Sequence, residues 1–135
     1  MITAGKTFLR SQYKKKRLSL TNEEVDYLSQ RVSIQLEKLD IWKLQNYHIF
    51  ISIEKYNELD TSLIIDKLKS NQKNIIVPKI SNNELSHFQI NEKTEFSLNK
   101  YGIREPNNGN YFKIKNLDVI FIPLLVFDIE GHRVG

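Results

Sequence analysis

Cysteine is absent from the 135 residues. The chain therefore carries no disulfide framework, no thiolate metal site and no thiol nucleophile, which suits a reducing compartment, and a cytoplasmic location is expected. A membrane-spanning run is also missing. The longest apolar stretch, VIFIPLLVF from Val119 to Phe127, falls well short of the roughly 18 residues a bilayer requires and is interrupted by Pro123. The five glycines and three prolines are too few for a fibrous or low-complexity chain, and no repeat or linker divides it. His48, His87 and His132 show no metal-ligand spacing, and no Ser-His-Asp arrangement is legible. Acidic residues are missing from the first twenty positions, which hold Lys6, Arg10, Lys14, Lys15, Lys16 and Arg17. Such a concentrated positive field attracts anions: nucleic acid, acidic lipid or polyphosphate.

What is present is globular. Hydrophobic residues make up 40% and charged residues 27%, enough for one core, so the expectation is a single domain over residues 1–135. Residues 4–18 read as a basic helix. Thr21 and Glu24 form a Thr-x-x-Glu capping box ahead of Val25, Leu28, Val32, Leu36 and Leu39, whose spacing predicts an amphipathic helix packed on something apolar. HIFISI, residues 48–53, reads as a strand. Asp60 or Thr61 caps a short helix with Leu63, Ile64 and Leu68 inward, and NIIVPKI, residues 74–80, is a second strand. This order predicts a βαβ unit and a parallel sheet. ELSHFQI alternates like a half-exposed strand, residues around Pro106–Gly109 read as a surface excursion, and residues 117–128 read as a strand buried on both faces.

Ligands in open parallel sheets bind beyond the carboxyl ends of strands. Asp128 closes the last apolar strand, and Gly131, Arg133 and Gly135 follow; glycines allow backbone N–H groups near an anion, and a guanidinium adds a planar fork. A turn with a surface arginine explains that pattern equally well. Lys6 and Arg10 share a helix face and repel mildly unless an anion lies between them. Glu58, after the first strand, is either a helix-dipole partner or an acceptor for adjacent N–H groups of a heterocycle, and Ile51 is core with an atom or two lining a pocket.

The combination of KTFLR at residues 6–10, IFISI leading to ELDT, YGIREP at 101–106 and DVIFIPLLVFDIEGHRVG at the carboxyl end resembles the 5-formyltetrahydrofolate cyclo-ligase family. The resemblance implies an α/β fold, a mostly parallel sheet flanked by helices, of the kind shared with sugar-phosphate isomerases and CoA transferases. It also implies an ATP- and magnesium-dependent conversion of 5-formyltetrahydrofolate to 5,10-methenyltetrahydrofolate by a monomer, without nucleic acid or membrane as partner. By position, Lys6, Arg10, Arg133 and Gly135 would bind ATP, and Ile51 and Glu58 would contact the folate. Two departures stand out. EKYN lengthens the connection between the first strand and Glu58, and the basic, glycine-rich segment that carries a magnesium-holding aspartate in the family has no counterpart here. The expectation is therefore an incomplete nucleotide loop, no metal ligand within these residues, and a piece of a longer enzyme with little turnover of its own. Two other classes compete: a nucleic-acid-binding module built on the basic helix, and a non-catalytic folate- or nucleotide-binding relative.

Overall fold

The computed structural model describes residues 2–135, with side chains described from residue 5 onward. Helix α1 spans Ile2–Leu18 and α2 spans Asn22–Glu37. The Thr21–Glu24 capping box forms as its sequence requires: Thr21 Oγ1 accepts from the Glu24 amide at 3.2 Å, and Glu24 Oε2 accepts from the Thr21 amide at 2.8 Å. Strand β1 (Asn46–His48), helix α3 (Ser62–Ser70) and strand β2 (Asn74–Ser81) build the expected βαβ unit, with β1 and β2 parallel and adjacent. Asp60, one residue before the Thr61 cap position, supplies the capping oxygen, accepting from the Ser62 amide at 2.9 Å.

Four further strands follow: β3 (Glu84–Ile90), β4 (Phe96–Leu98), β5 (Arg104–Pro106) and β6 (Asn110–Tyr111). Beyond them lie β7 (Val119–Ile120), β8 (Val126–Phe127) and β9 (Arg133–Val134). The main sheet has the order β6-β3-β2-β1-β7, and the pairs β4–β5 and β8–β9 stand apart. This corrects the mostly parallel sheet: β7–β1 and β1–β2 are parallel, but β2–β3 and β3–β6 are antiparallel. The cause is local. Asn82 and Asn83 both take positive φ, 51° and 62°, between the paired residues Ser81 and Glu84. Two central left-handed residues make the tight hairpin whose twist suits antiparallel strands, and asparagine tolerates that conformation better than most residues.

The core sits on the face of the sheet that carries odd-numbered strand residues. Tyr47, Ile49, Ile75 and Val77 pack there against Ile64 and Leu68 of α3, with Leu36 and Trp42 at the margin. The Tyr47 hydroxyl donates to Ile41 O at 2.7 Å or to Leu44 O at 3.1 Å, so the buried ring keeps its polar end satisfied. Leu63, expected inward, is exposed; Ile64 and Leu68 fill that role.

Two apolar patterns come out differently from their sequence reading. In α2 the face turned inward is Val25, Ser29 and Leu36, while Leu28 and Val32, and Leu39 just past its end, are exposed. A polar contact sets the roll of the helix: buried Ser29 Oγ accepts from the Asp60 amide at 2.9 Å. The stretch from 117 to 128 is not one strand buried on both faces. Only β7 and β8 are strand, and Ile120, Ile122, Leu124 and Phe127 are exposed. Among the described residues β7 is the sheet edge, paired to β1 alone; Pro123 has no N–H to extend a ladder, and β8 turns to pair with β9 instead. The strand expected over 48–53 likewise ends at His48, although Ile49 N still donates to Ile76 O at 2.9 Å. The surface excursion near Pro106 is better tied than expected: Glu105 and Pro106 are buried, and Glu105 Oε1 accepts from the Ile80 amide at 2.9 Å.

Candidate functional site

A cleft of about 770 Å³ opens where three segments meet. Helix α1 contributes Arg10, Lys14 and Arg17, three successive turns of one helix stripe. The β1–α3 connection contributes Phe50, Tyr56 and Glu58, and the link from β7 to β8 contributes Phe121, Pro123 and Leu124. The lining is mainly apolar with cations along one side, the composition of a site for a flat heterocycle joined to an anion.

The chain's two ends close one end of this cleft. Helix α1 lies against the β8–β9 hairpin, and Arg10 Nε donates to Gly135 O at 2.9 Å across 125 positions of sequence. Arg133 sits on β9 opposite Phe127, exposed and outside the immediate lining. Lys6 is exposed one helical turn before Arg10. The hairpin is shaped by Asp128, whose Oδ1 accepts from the amides of Glu130 and His132, both at 2.9 Å, and by Gly131, whose φ of 87° suits glycine. The His132 ring at 2.9 Å from Asp128 Oδ2, the largest cause, together with these two amides holds the Asp128 carboxyl below its usual pKa.

At the other end Glu58 is half-buried. Its Oε2 accepts from the Ile53 amide at 2.8 Å, and Oε1 has no hydrogen-bond partner among the described residues, so one oxygen is fixed and the other is available to a ligand. Thr61, buried in the same lining, donates through Oγ1 to Phe50 O at 3.0 Å. Ile51 packs against the core cluster and is not part of the cleft lining. Arg10, Gly135 and Glu58 thus share one cleft, Lys6 and Arg133 stand near its Arg10 end, and Ile51 serves the core. Lys14, Arg17 and Tyr56 were missed as candidates. The first two were legible in principle, because 10, 14 and 17 follow the helical repeat; Tyr56 falls in the lengthened EKYN connection, where spacing gave no guide.

A cation site fits poorly. Among the described residues the one cluster with converging donors is Asp128, Glu130 and His132, all exposed. Both Asp128 oxygens are already engaged in the turn and one donor is an imidazole, whereas magnesium favours an octahedron of oxygens. No magnesium ligand is assigned.

A model of the 5-formyltetrahydrofolate cyclo-ligase family matches residues 2–135. The chain belongs to that family. It is 27% identical over 141 residues to 5-formyltetrahydrofolate cyclo-ligase of Haemophilus influenzae, covering 100% of this chain and 74% of the relative. The mouse protein of the same name is 25% identical over 146 residues, covering 99% of this chain and 70% of the relative. In structure the family member is similar to Aquifex aeolicus 5,10-methenyltetrahydrofolate synthetase, with a TM-score of 0.83 and 29% identity, covering 96% of this chain and 66% of that one. The Mycoplasma pneumoniae synthetase shares the fold, with a TM-score of 0.70 at 23% identity, covering 96% and 70%. The chain thus spans about two thirds to three quarters of the length of the relatives it matches. Among the described residues no helix is long and apolar enough to cross a membrane.

Proposed function

We propose that this chain carries the ATP and folate half-sites of a cyclo-ligase that converts 5-formyltetrahydrofolate to 5,10-methenyltetrahydrofolate. The observation that carries the reading is the shared cleft: a cationic end, where Arg10 meets Gly135, faces a carboxylate end at Glu58.

A formyl amide oxygen is a poor leaving group. Transfer of the γ-phosphoryl of ATP to that oxygen makes it a good one; N10 of the folate then attacks the activated carbon, and phosphate departs as the imidazolinium-type ring closes. Catalysis of this kind rests on positioning and on neutralising phosphate charge. Arg10 and Arg133, with Lys6 a turn away, supply that charge, and the backbone at Gly135 offers close approach. Glu58 Oε1 accepts from adjacent N–H groups of the pterin, while Phe50, Phe121 and Pro123 exclude water from its ring faces. Ile51 contributes through the core that supports this wall. The protein acts as a cytoplasmic monomer, and the magnesium that accompanies ATP draws no ligand from these residues.

The test is direct: the full-length protein, ATP, magnesium and 5-formyltetrahydrofolate are mixed and the methenyl chromophore is followed. ATP-dependent absorbance supports the proposal. Binding of neither substrate, with salt-sensitive binding to random DNA instead, would replace it by a nucleic-acid module; binding without turnover would point to a non-catalytic relative.

A further inference from the structure

We infer that Asn57 is a positioning residue that latches the Glu58 turn to the carboxyl end of α1 and so fixes the spacing between the two half-sites. The inference rests on the assignment of Arg10 to the nucleotide and Glu58 to the folate.

Helix α1 ends at Leu18, and its Arg17 carbonyl, past the reach of the regular i+4 ladder, accepts from the Leu20 amide at 3.2 Å with room for a second donor. The Asn57 side-chain amide donates to Arg17 O at 3.0 Å and to Leu20 O at 2.9 Å. The contact is reciprocated: Arg17 Nε donates to Tyr56 O at 2.9 Å. Two hydrogen bonds donated from the turn and one donated from the helix therefore join elements nearly forty residues apart. Asn57 reaches this position in the left-handed conformation, φ 52° and ψ 36°, closing the short 3-10 turn Glu54–Tyr56 with its own amide on Glu54 O at 2.9 Å. Outside glycine, asparagine bears that conformation at least cost, and here its side chain performs a task glycine could not.

The consequence for the site is mechanical. Glu58 follows immediately, and its carboxylate folds back onto the Ile53 amide, so residues 53–58 form a closed loop. Arg10 lies two turns before the latched end of α1, roughly 10 Å along the axis. Any slip of the turn against the helix changes the separation between the carboxylate that orients the folate and the cation that orients the phosphate, and phosphoryl transfer tolerates little misplacement. The segment that looked like an awkward insertion, EKYN, is the part that makes the latch.

Two variants of the full-length protein test this. Asn57→Gly keeps the left-handed backbone and removes the amide; Asn57→Asp keeps a tolerant side chain but no donor. Each should lower kcat about tenfold with both KM values within about twofold of wild type, because each ligand retains its own contacts while their register is lost. Amide hydrogen exchange gives a second readout that needs no turnover. In both variants the Ile53 amide should lose protection while Ile75–Val77 amides keep theirs. Unchanged protection at Ile53, or an effect confined to KM, overturns the latch. Wild-type protein that binds neither ATP nor 5-formyltetrahydrofolate instead counts against the cyclo-ligase reading, and the exchange result then decides the latch by itself.

Discussion

At the Glu58 end of the cleft the carboxylate is held by a backbone amide, shares its lining with buried Thr61 and is braced to a helix end. At the Arg10 end, exposed side chains approach a short two-stranded hairpin, and one hydrogen bond to Gly135 spans the gap. The difference follows from what each end would recognise. A heterocycle is read by fixed, partly desolvated hydrogen-bonding groups, which work only if the protein holds them still. A polyphosphate is drawn by charge over a longer distance, and exposed cations serve even when their geometry is loose, at the cost of screening by salt.

The largest effect should come from breaking what keeps the folate end rigid. Leu68 of α3 is fully buried in the core cluster that includes Ile49 at the start of the β1–α3 connection, and Leu68→Ala should cost about 3 kcal/mol in urea unfolding, with folate affinity falling further than ATP affinity. A loss well under 1 kcal/mol would mean that the core does not support that end. Acid should act on the opposite face of the same sheet. His48 Nε2 lies 3.0 Å from His87 Nδ1, both rings are buried, and His48 Nδ1 has no hydrogen-bond partner among the described residues. Burial, with the neighbouring His87 as a smaller cause, pushes the His48 pKa down to about 4, and burial lowers that of His87 as well. A depressed histidine pKa means that the unfolded chain binds the proton more tightly. Stability should therefore be full above pH 6.5 and fall by on the order of 3 kcal/mol towards pH 4. Unfolding curves at pH 7 and 4.5 check this, and a flat profile would contradict it.

Smaller effects separate the two ends by ligand. Glu58→Ala should weaken 5-formyltetrahydrofolate about thirtyfold and ATP less than twofold, in keeping with loss of a hydrogen bond to a charged group. Arg133→Ala should do the reverse and more weakly, about tenfold for ATP, because the guanidinium is exposed; raising ionic strength should shrink that difference. Equal effects of either variant on both ligands would dissolve the distinction between the ends.

Much of the scaffold was legible because local chemistry and burial agreed. The Thr21–Glu24 box, the βαβ unit and Ile64 and Leu68 in the core all rest on short-range signals that tertiary contacts reinforced. The antiparallel half of the sheet was missed because Asn82-Asn83 was not read as a two-residue hairpin turn. Apolar periodicity also could not show that Ser29 would turn α2 inward through one hydrogen bond, or that Pro123 would take the chain off the sheet edge. For the site, Arg10, Glu58 and Gly135 emerged from motif resemblance and share a cleft, whereas spacing alone would have left Lys6 and Arg10 as two solvated cations. Tyr56 and Asn57 lay beyond reach, since their roles depend on a contact with a helix nearly forty residues away.

The central claim is that one cleft holds both substrates at opposite ends. Nuclear magnetic resonance titration of the isotopically labelled chain tests it most directly, with a non-hydrolysable ATP analogue and 5-formyltetrahydrofolate added separately. The nucleotide should shift signals of Arg10, Arg133 and Gly135, and the folate those of Ile53 and Glu58, with the second ligand adding to the first rather than displacing it. Shifts confined to the outer basic residues Lys15 and Lys16, or competition of the two ligands for the same residues, would contradict the account.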